Sequence, residues 1–168
     1  MASFGELVLV VGDHHIGNRA HVIPEEFQRM LVPNKMQHVI CTGNLGSKEQ
    51  FNELRQLAPN VHVVAGDNEY VDASSSSQMS FPSTRVVHIG EFRIGLIHGH
   101  QVLPWGDHLA LASVRRKLGV DILVSGHTHK NEVVEHEGRY HINPVRVHQY
   151  ECIHMSCIHS NRNFHGSC

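Results

Sequence analysis

The sequence has no large excess of charge of either sign and no long hydrophobic run. Its 168 residues include 14 basic and 16 acidic side chains, a formal net charge of -2. This balance provides no broad electropositive surface, so we expect no nucleic-acid partner. The longest apolar run, Leu7 to Val11, is far below the roughly 20 residues of a membrane span, and no secretory leader is recognisable. We expect a soluble, cytosolic protein.

Cysteine is scarce, and its distribution is uneven. Three of the four cysteines fall within residues 152–168, which does not match a secreted disulfide framework. We interpret them as reduced thiols. A superficial zinc-knuckle pattern in this segment fits no common finger spacing, and we favour chance as its origin. It comprises Cys152, His154, Cys157 and His159.

Histidine, in contrast, is abundant, with 17 copies. Imidazole is the commonest protein ligand for transition metals, so the question is which histidines converge. With 40% hydrophobic residues the chain has enough apolar material for one globular domain. We assign that domain to residues 1–144 and describe 145–168 as an atypical C-terminal tail, because its apolar residues show no clear period.

Polar side chains follow each of five predicted strands. The β-rich runs at 7–11, 38–41, 61–64, 92–97 and 122–124 all end in glycine-containing loops. In an α/β sheet, such loops gather a site at the carboxyl ends of the strands. The candidate metal ligands carried by these loops are Asp13, His15, Asn44, Asp67, His98, His127 and His129.

Helices and hairpins occupy the intervals between these strands. Amphipathic spacing predicts a helix from Pro24 to Pro33, and Ser47 with Gln50 predicts a second that reaches residue 57. Asp107 and Gly119 predict the cap and the end of a third helix, whose apolar positions include Leu109, Ala112 and Leu118. Residues 72–84 read as a surface loop, and the segments 85–97 and 132–142 read as β-hairpins.

The mixture of imidazole, carboxylate and amide donors suits transition metals such as zinc, manganese or iron. Seven donors are enough for two ions, and a close metal pair polarises a phosphoryl group and activates water. One isolated histidine would more often be an ordinary loop residue. Five ordered blocks argue against that simpler interpretation here.

The order of these blocks resembles the metallophosphoesterase (calcineurin-like) superfamily, whose pattern runs D-x-H, G-D, G-N-H-D/E, H and G-H-x-H. The resemblance implies an α/β fold, an α/β/β/α sandwich of two packed sheets flanked by helices. It also implies up to two divalent ions (Zn, Mn or similar), with one ligand set in Asp13, His15 and His129 and the other in Asp67, His98 and His127. Asn44 takes the position between them.

Three positions depart from the pattern of the active superfamily members. Asn44 stands where an aspartate would bridge both ions, Asp67 where an asparagine would bind, and Asn68 where a histidine would donate a proton. Loss of a general acid typically lowers a rate by about 10²–10⁴-fold. The resemblance therefore implies little or no hydrolysis and assigns no catalytic residue.

Residues 9–16, 41–45, 95–107 and 125–130 carry a closer resemblance, most specific from His98 to Asp107, to the family of retromer subunits in endosomal sorting coats. It implies a scaffold for retrograde endosome-to-Golgi transport, cytoplasmic and peripheral on endosomal membranes only through the complex. Val102, Leu103 and Trp105 would bind the α-solenoid subunit, vacuolar protein sorting protein thirty-five. A second patch of Leu7, Met30 and Leu31 would bind retromer regulators.

Other interpretations stay open at this level. Trp105 could pack in the core, and Leu7, Met30 and Leu31 could serve only to pack the first helix. The runner-up function is a metal-dependent phosphodiesterase or phosphatase. A third possibility is a variant that folds poorly, because Val145 begins a tail unlike the family's, whose C-terminal strands would then be missing or altered.

Overall fold

The computed structural model describes residues 6–12, 35–45, 47–67 and 80–144. The helix predicted at 24–33, the loop at 72–79 and the tail at 145–168 lie outside these residues. Within the described ranges the chain forms eight strands and two helices. No helix in this part of the chain has the length and apolar character needed to cross a bilayer.

The first sheet is parallel, with strand order β1-β2-β3. It contains β1 (Val8–Val11), β2 (His38–Cys41) and β3 (Asn60–Val63), and helix α1 (Lys48–Leu57) connects the last two. Val11 pairs in register with Cys41, and Cys41 with Val63. The carboxyl ends of the three strands therefore align at one edge.

The second sheet is mixed, with strand order β4-β5-β6-β8-β7. Two antiparallel hairpins, β4 (Thr84–Ile89) with β5 (Phe92–Ile97) and β7 (Glu132–His136) with β8 (Arg139–Asn143), flank β6 (Ile122–Ser125). β6 runs parallel to β5 and β8, and helix α2 (His108–Leu118) links β5 to β6. Both predicted hairpins are confirmed, although β4 begins at Thr84, one residue earlier than expected.

The two sheets pack face to face around a shared apolar core. Val8, Val10 and Ile40 of the first sheet contact a cluster from the second that includes Ile94 and Ile122. Such runs of buried aliphatic residues are typical of strands covered on both faces. The packing explains why β1 is apolar at every position.

Each helix covers the outer face of one sheet. Leu54 and Leu57 of α1 pack with residues such as Val39 on the first sheet, and Leu111 of α2 packs against Ile97 and Leu123 on the second. The layers are thus helix, sheet, sheet and helix. The predicted α/β sandwich of two packed sheets is confirmed.

The helix caps form as their sequences predicted. Ser47 Oγ accepts a hydrogen bond from Gln50 N at 3.4 Å, and Asp107 Oδ1 accepts one from Ala110 N at 2.7 Å. Gly119 ends α2 in the left-handed conformation with φ 64°. Leu109 differs from expectation, since it was assigned to the apolar face of this helix yet is 66% exposed.

Candidate metal site

Four of the predicted donors meet where the two sheets come together. Asn44 follows β2, Asp67 follows β3, His98 follows β5, and His127 follows β6. Parallel pairing brings the ends of neighbouring strands to one edge, so residues far apart in sequence become neighbours. We call Asp67, His98 and His127 the strand-end cluster; their donor atoms all lie within 4.8 Å of one another.

His98 is the fixed element of this cluster. The residue is fully buried, and its Nδ1 lies 2.7 Å from the carbonyl oxygen of Thr42. Since a carbonyl only accepts hydrogen bonds, Nδ1 donates the proton. In the neutral ring the lone pair is then on Nε2, which faces Asp67 Oδ1 at 3.0 Å. A backbone partner of this kind is the usual way to orient a metal-binding histidine.

Asp67 links the other members of the site. Its Oδ1 accepts a hydrogen bond from Asn44 Nδ2 at 3.0 Å, and its Oδ2 lies 3.4 Å from His127 Nδ1. Partial burial raises the pKa of Asp67, but the Asn44 hydrogen bond and the charges of His98 and His127 together lower it below its usual value. The carboxyl group is therefore ionised near neutral pH and available to a cation.

The close packing around Asn44 explains why residue 66 is a glycine. A Cβ at Gly66 would lie 2.0 Å from Asn44 Oδ1, so a larger residue would displace the asparagine side chain. Asn44, His127 and His129 adopt left-handed φ values of 56°, 72° and 57°, which are uncommon for residues with side chains. Unusual backbone at several donor positions is typical of functional sites.

Two aromatic residues close the site on one side. The Trp105 ring meets His127 edge-on, with 4.6 Å between centroids. The His100 ring centroid lies 5.3 Å from that of His98, and burial together with the charge of His98 lowers the pKa of His100. His100 was not among the predicted donors. Its position two residues after His98, past a sharp turn at Gly99, is the signal that could have found it.

The site opens into a cavity of about 590 Å³, whose lining includes Asn44, Asp67, Trp105, His127 and His129. The donors suit a transition metal, because an imidazole lone pair held 3.0 Å from a carboxylate oxygen is unfavourable unless a cation or a proton lies between them. Such an ion would polarise a bound phosphoryl oxygen or water. Asp67, His98 and His127 would hold it.

The profile of the calcineurin-like phosphoesterase superfamily domain matches residues 7–163. Vacuolar protein sorting-associated protein 29 of Schizosaccharomyces pombe is 36% identical over 138 residues, which cover 82% of this chain and 70% of the yeast protein. The chain belongs to the Vps29 family of calcineurin-like phosphoesterases.

Solved structures of Vps29 proteins agree with this assignment. Vps29 of Cryptosporidium parvum superposes with a TM-score of 0.79 at 43% identity, covering 85% of this chain and 75% of that one. Wild-type Vps29 of Entamoeba histolytica, solved in complex with Zn²⁺, superposes with a TM-score of 0.73 at 48% identity, covering 83% and 74%.

The remaining predicted donors of this Vps29-family chain are placed as follows. His129 lines the same cavity as Asp67 and His127. Its expected partners, Asp13 and His15, lie outside the described residues, as does Asn68. The assignment of a second ion to Asp13, His15 and His129 stays a prediction.

The predicted partner-binding residues fall into two groups. Val102 is 8% exposed and packs in the core beneath α2, whereas Leu103 and Trp105 are 72% and 61% exposed. The alternative prediction, that Trp105 packs in the core, is therefore wrong. Leu7 is half-buried against the outer core of the first sheet, and Met30 and Leu31 lie outside the described residues.

Proposed function

We propose that this chain is a retromer subunit that acts as a scaffold. It binds the α-solenoid subunit, vacuolar protein sorting protein thirty-five, through the loop between β5 and α2, and reaches endosomal membranes through the complex. The observation that carries the proposal is a well-anchored loop with two large exposed apolar side chains in a Vps29-family chain. Retrograde endosome-to-Golgi transport would follow from assembly.

Exposed apolar side chains are concentrated at this loop. Among the described residues, the three most exposed large apolar side chains are Leu103, Leu109 and Trp105, all within seven positions. Large apolar and aromatic side chains grouped on a surface are typical anchors of protein interfaces. Their grouping supports a partner surface here.

The loop is also held in place before any partner binds. Val102 N donates to Gly99 O at 3.1 Å, and Asp107 N donates to Pro104 O at 3.2 Å. Gln101 Nε2 donates to Ser83 O at 3.1 Å, which connects the loop to the start of β4. The buried side chain of Val102 anchors the loop further. Because the loop is already ordered, fixing Leu103 against a partner should cost little conformational entropy.

Calorimetry of the purified chain with the C-terminal half of the α-solenoid subunit tests the proposal. Tight binding is expected, with a loss of at least about 30-fold in Leu103→Asp because a carboxylate would be desolvated at the interface. Val86→Asp is the matched control, since Val86 is also partly exposed but lies on β4. No binding by the folded chain, or equal loss in both variants, would contradict the proposal.

The strand-end cluster supports a second, weaker candidate function, metal-dependent phosphodiester hydrolysis. Its support is the 590 Å³ cavity beside Asp67 and His127. Asn44 argues against efficient turnover, because its amide donates to Asp67 and supplies no bridging charge. We expect Zn²⁺ or Mn²⁺ to bind with little hydrolysis.

Hydrolysis of bis(4-nitrophenyl) phosphate with Mn²⁺ separates the two candidates. Any genuine turnover should disappear in His98→Ala and increase in Asn44→Asp, which supplies the missing carboxylate. Rapid hydrolysis by the unaltered chain that is abolished in His98→Ala would make the phosphodiesterase the leading function.

A further inference from the structure

A second group of metal-binding side chains lies on the outer face of the second sheet. The donor atoms of His108, Glu132 and His141 all lie within 4.8 Å of one another. We call these three residues the sheet-face cluster. None of them belongs to the strand-end cluster or to the motifs of the superfamily.

The strand register explains why these residues meet. Glu132 pairs with Asn143 and Val134 pairs with His141, so Glu132 and His141 are diagonal neighbours on one face of the β7–β8 hairpin. Leu123, which is also in register with His141, packs against Leu111 and so marks that face as the one covered by α2. His108 is the first residue of that helix.

His141 carries an unused ligand atom. The residue is 8% exposed, and its Nε2 lies 2.8 Å from Ser125 Oγ. Its Nδ1 is buried without a hydrogen-bond partner. A buried polar atom without a partner is costly and needs an explanation. If Nε2–H donates to Ser125, a metal ion on Nδ1 supplies that partner.

The space beside these rings is suited to an ion. His108 and His141 line a cavity of about 10 Å³, which is too small for an organic ligand. His108 and Glu132 also line the 590 Å³ cavity, which gives an ion a route from solvent. Both carry side chains that are at least partly exposed, so they can adjust to the ion.

We propose that His108, Glu132 and His141 bind a transition-metal ion, with Zn²⁺ as the best match. Two imidazoles and one carboxylate form a known zinc-binding set that leaves a position for water. Bound there, the ion fastens the first turn of α2 to the β7–β8 hairpin. The last turn is already joined to the same hairpin, because Arg115 Nη2 lies 2.9 Å from Glu137 Oε2.

The proposal is independent of retromer assembly, and it is tested on the full chain. The starting protein carries Asp67→Ala and His127→Ala, which removes the strand-end cluster. Zn²⁺ affinity is measured by competition with a chromophoric chelator, and Co²⁺ is added to read its visible d–d absorption. Since 17 histidines and four cysteines offer other weak sites, the comparison between variants decides the result.

His108→Ala and Glu132→Gln should each weaken Zn²⁺ binding by at least about 100-fold, because even loss of an outer-shell partner costs 10–100-fold. His88→Ala is the matched control, an exposed histidine on β4, and should leave the affinity and the Co²⁺ spectrum unchanged. Zn²⁺ should also raise Tm in the starting protein and in His88→Ala, but not in the two ligand variants. Equal Zn²⁺ affinities across all four proteins would overturn the proposal.

Discussion

The strand-end and sheet-face clusters are assembled from different parts of the same fold. Asp67, His98 and His127 stand on loops that follow strands, and Asp67 and His127 line an open cavity. Glu132 and His141 stand within strands, and His108 begins the helix that covers them. The first arrangement leaves room for substrate or solvent, whereas the second joins structural elements.

The clusters also differ in how their buried histidine is satisfied. Both His98 nitrogens have polar neighbours, Thr42 O and Asp67 Oδ1. His141 has only one, Ser125, and burial followed by the charge of His108 lowers the pKa of His141 to about 4. A cation would therefore separate two facing acceptors in the first cluster, His98 Nε2 and Asp67 Oδ1, whereas in the second it would supply a missing partner.

The largest expected effect is that of His98→Ala on stability without metal. Removing a fully buried ring leaves a cavity and deprives Thr42 O of its donor, which should cost about 2–4 kcal/mol. Urea unfolding in EDTA measures it. His100→Ala, half-buried in the same region, should cost clearly less. Equal losses would show that His98 is no more important to the fold than its neighbour.

Gly66→Ala should affect the strand-end cluster alone. The new Cβ would lie 2.0 Å from Asn44 Oδ1 and 2.6 Å from Asn44 N, an overlap that should cost about 1–3 kcal/mol. Zn²⁺ binding at Asp67 should weaken, and binding at His108 should persist. Gly90→Ala, whose Cβ would meet nothing within 4 Å but whose φ of 56° disfavours alanine, is the comparison: it should cost stability through the backbone alone and leave Zn²⁺ binding at both clusters unchanged. Normal Zn²⁺ binding at both clusters would show that Asn44 need not be held in place.

His62 is a half-buried histidine outside both clusters. Burial, with smaller contributions from Arg85 and His38, lowers the pKa of His62 from 6.5 to about 4. Between these values the unfolded chain binds a proton that the folded chain does not, so stability falls as pH drops from 6.5 towards 4. Because His62 is half-buried, we expect a contribution of only about 1 kcal/mol after solvent screening.

Unfolding measured across pH 4 to 7 checks the His62 contribution. His62→Gln keeps a polar side chain but removes the titration, so its stability should vary less steeply with pH. Identical slopes for the two proteins would contradict the assignment and place the pH dependence among the other histidines.

The smallest effect is expected for Glu132→Gln in EDTA. Glu132 is half-buried, and the glutamine that replaces it has nearly the same shape. The free energy of unfolding should therefore change by no more than about 0.5 kcal/mol. Added Zn²⁺ should then separate the two proteins, raising Tm only where Glu132 is present. A large loss already in EDTA would show that Glu132 has a structural role without metal.

The sequence was sufficient to predict the strand-end cluster because local signals and topology coincide there. The apolar runs before Asn44, Asp67 and His98 identify strands, and the carboxyl ends of parallel strands converge. The caps at Ser47 and Asp107 were equally readable, since each depends on contacts within one turn. Bounds differed by about one residue, where pairing rather than composition ends a strand.

The sheet-face cluster could not be predicted in the same way. Glu132 and His141 become neighbours only through the register of β7 on β8, and a shift of one residue would turn one of them to the other face. His108 joins them because α2 packs on that face. The exposure of Leu109 was missed for the same reason, since helix periodicity does not reveal which turn extends beyond the sheet.

The contact between Trp105 and His127 provides an intrinsic fluorescent probe of the strand-end cluster. Trp105 is the single tryptophan of the chain, and its ring is centred 4.6 Å from the imidazole of a strand-end donor. Indole emission depends on the groups that contact the ring, so intrinsic fluorescence should respond to changes at His127. Metal loading at Asp67, His98 and His127 and burial of the loop by a partner would both alter this emission, which allows the two events to be timed in one cuvette without a label.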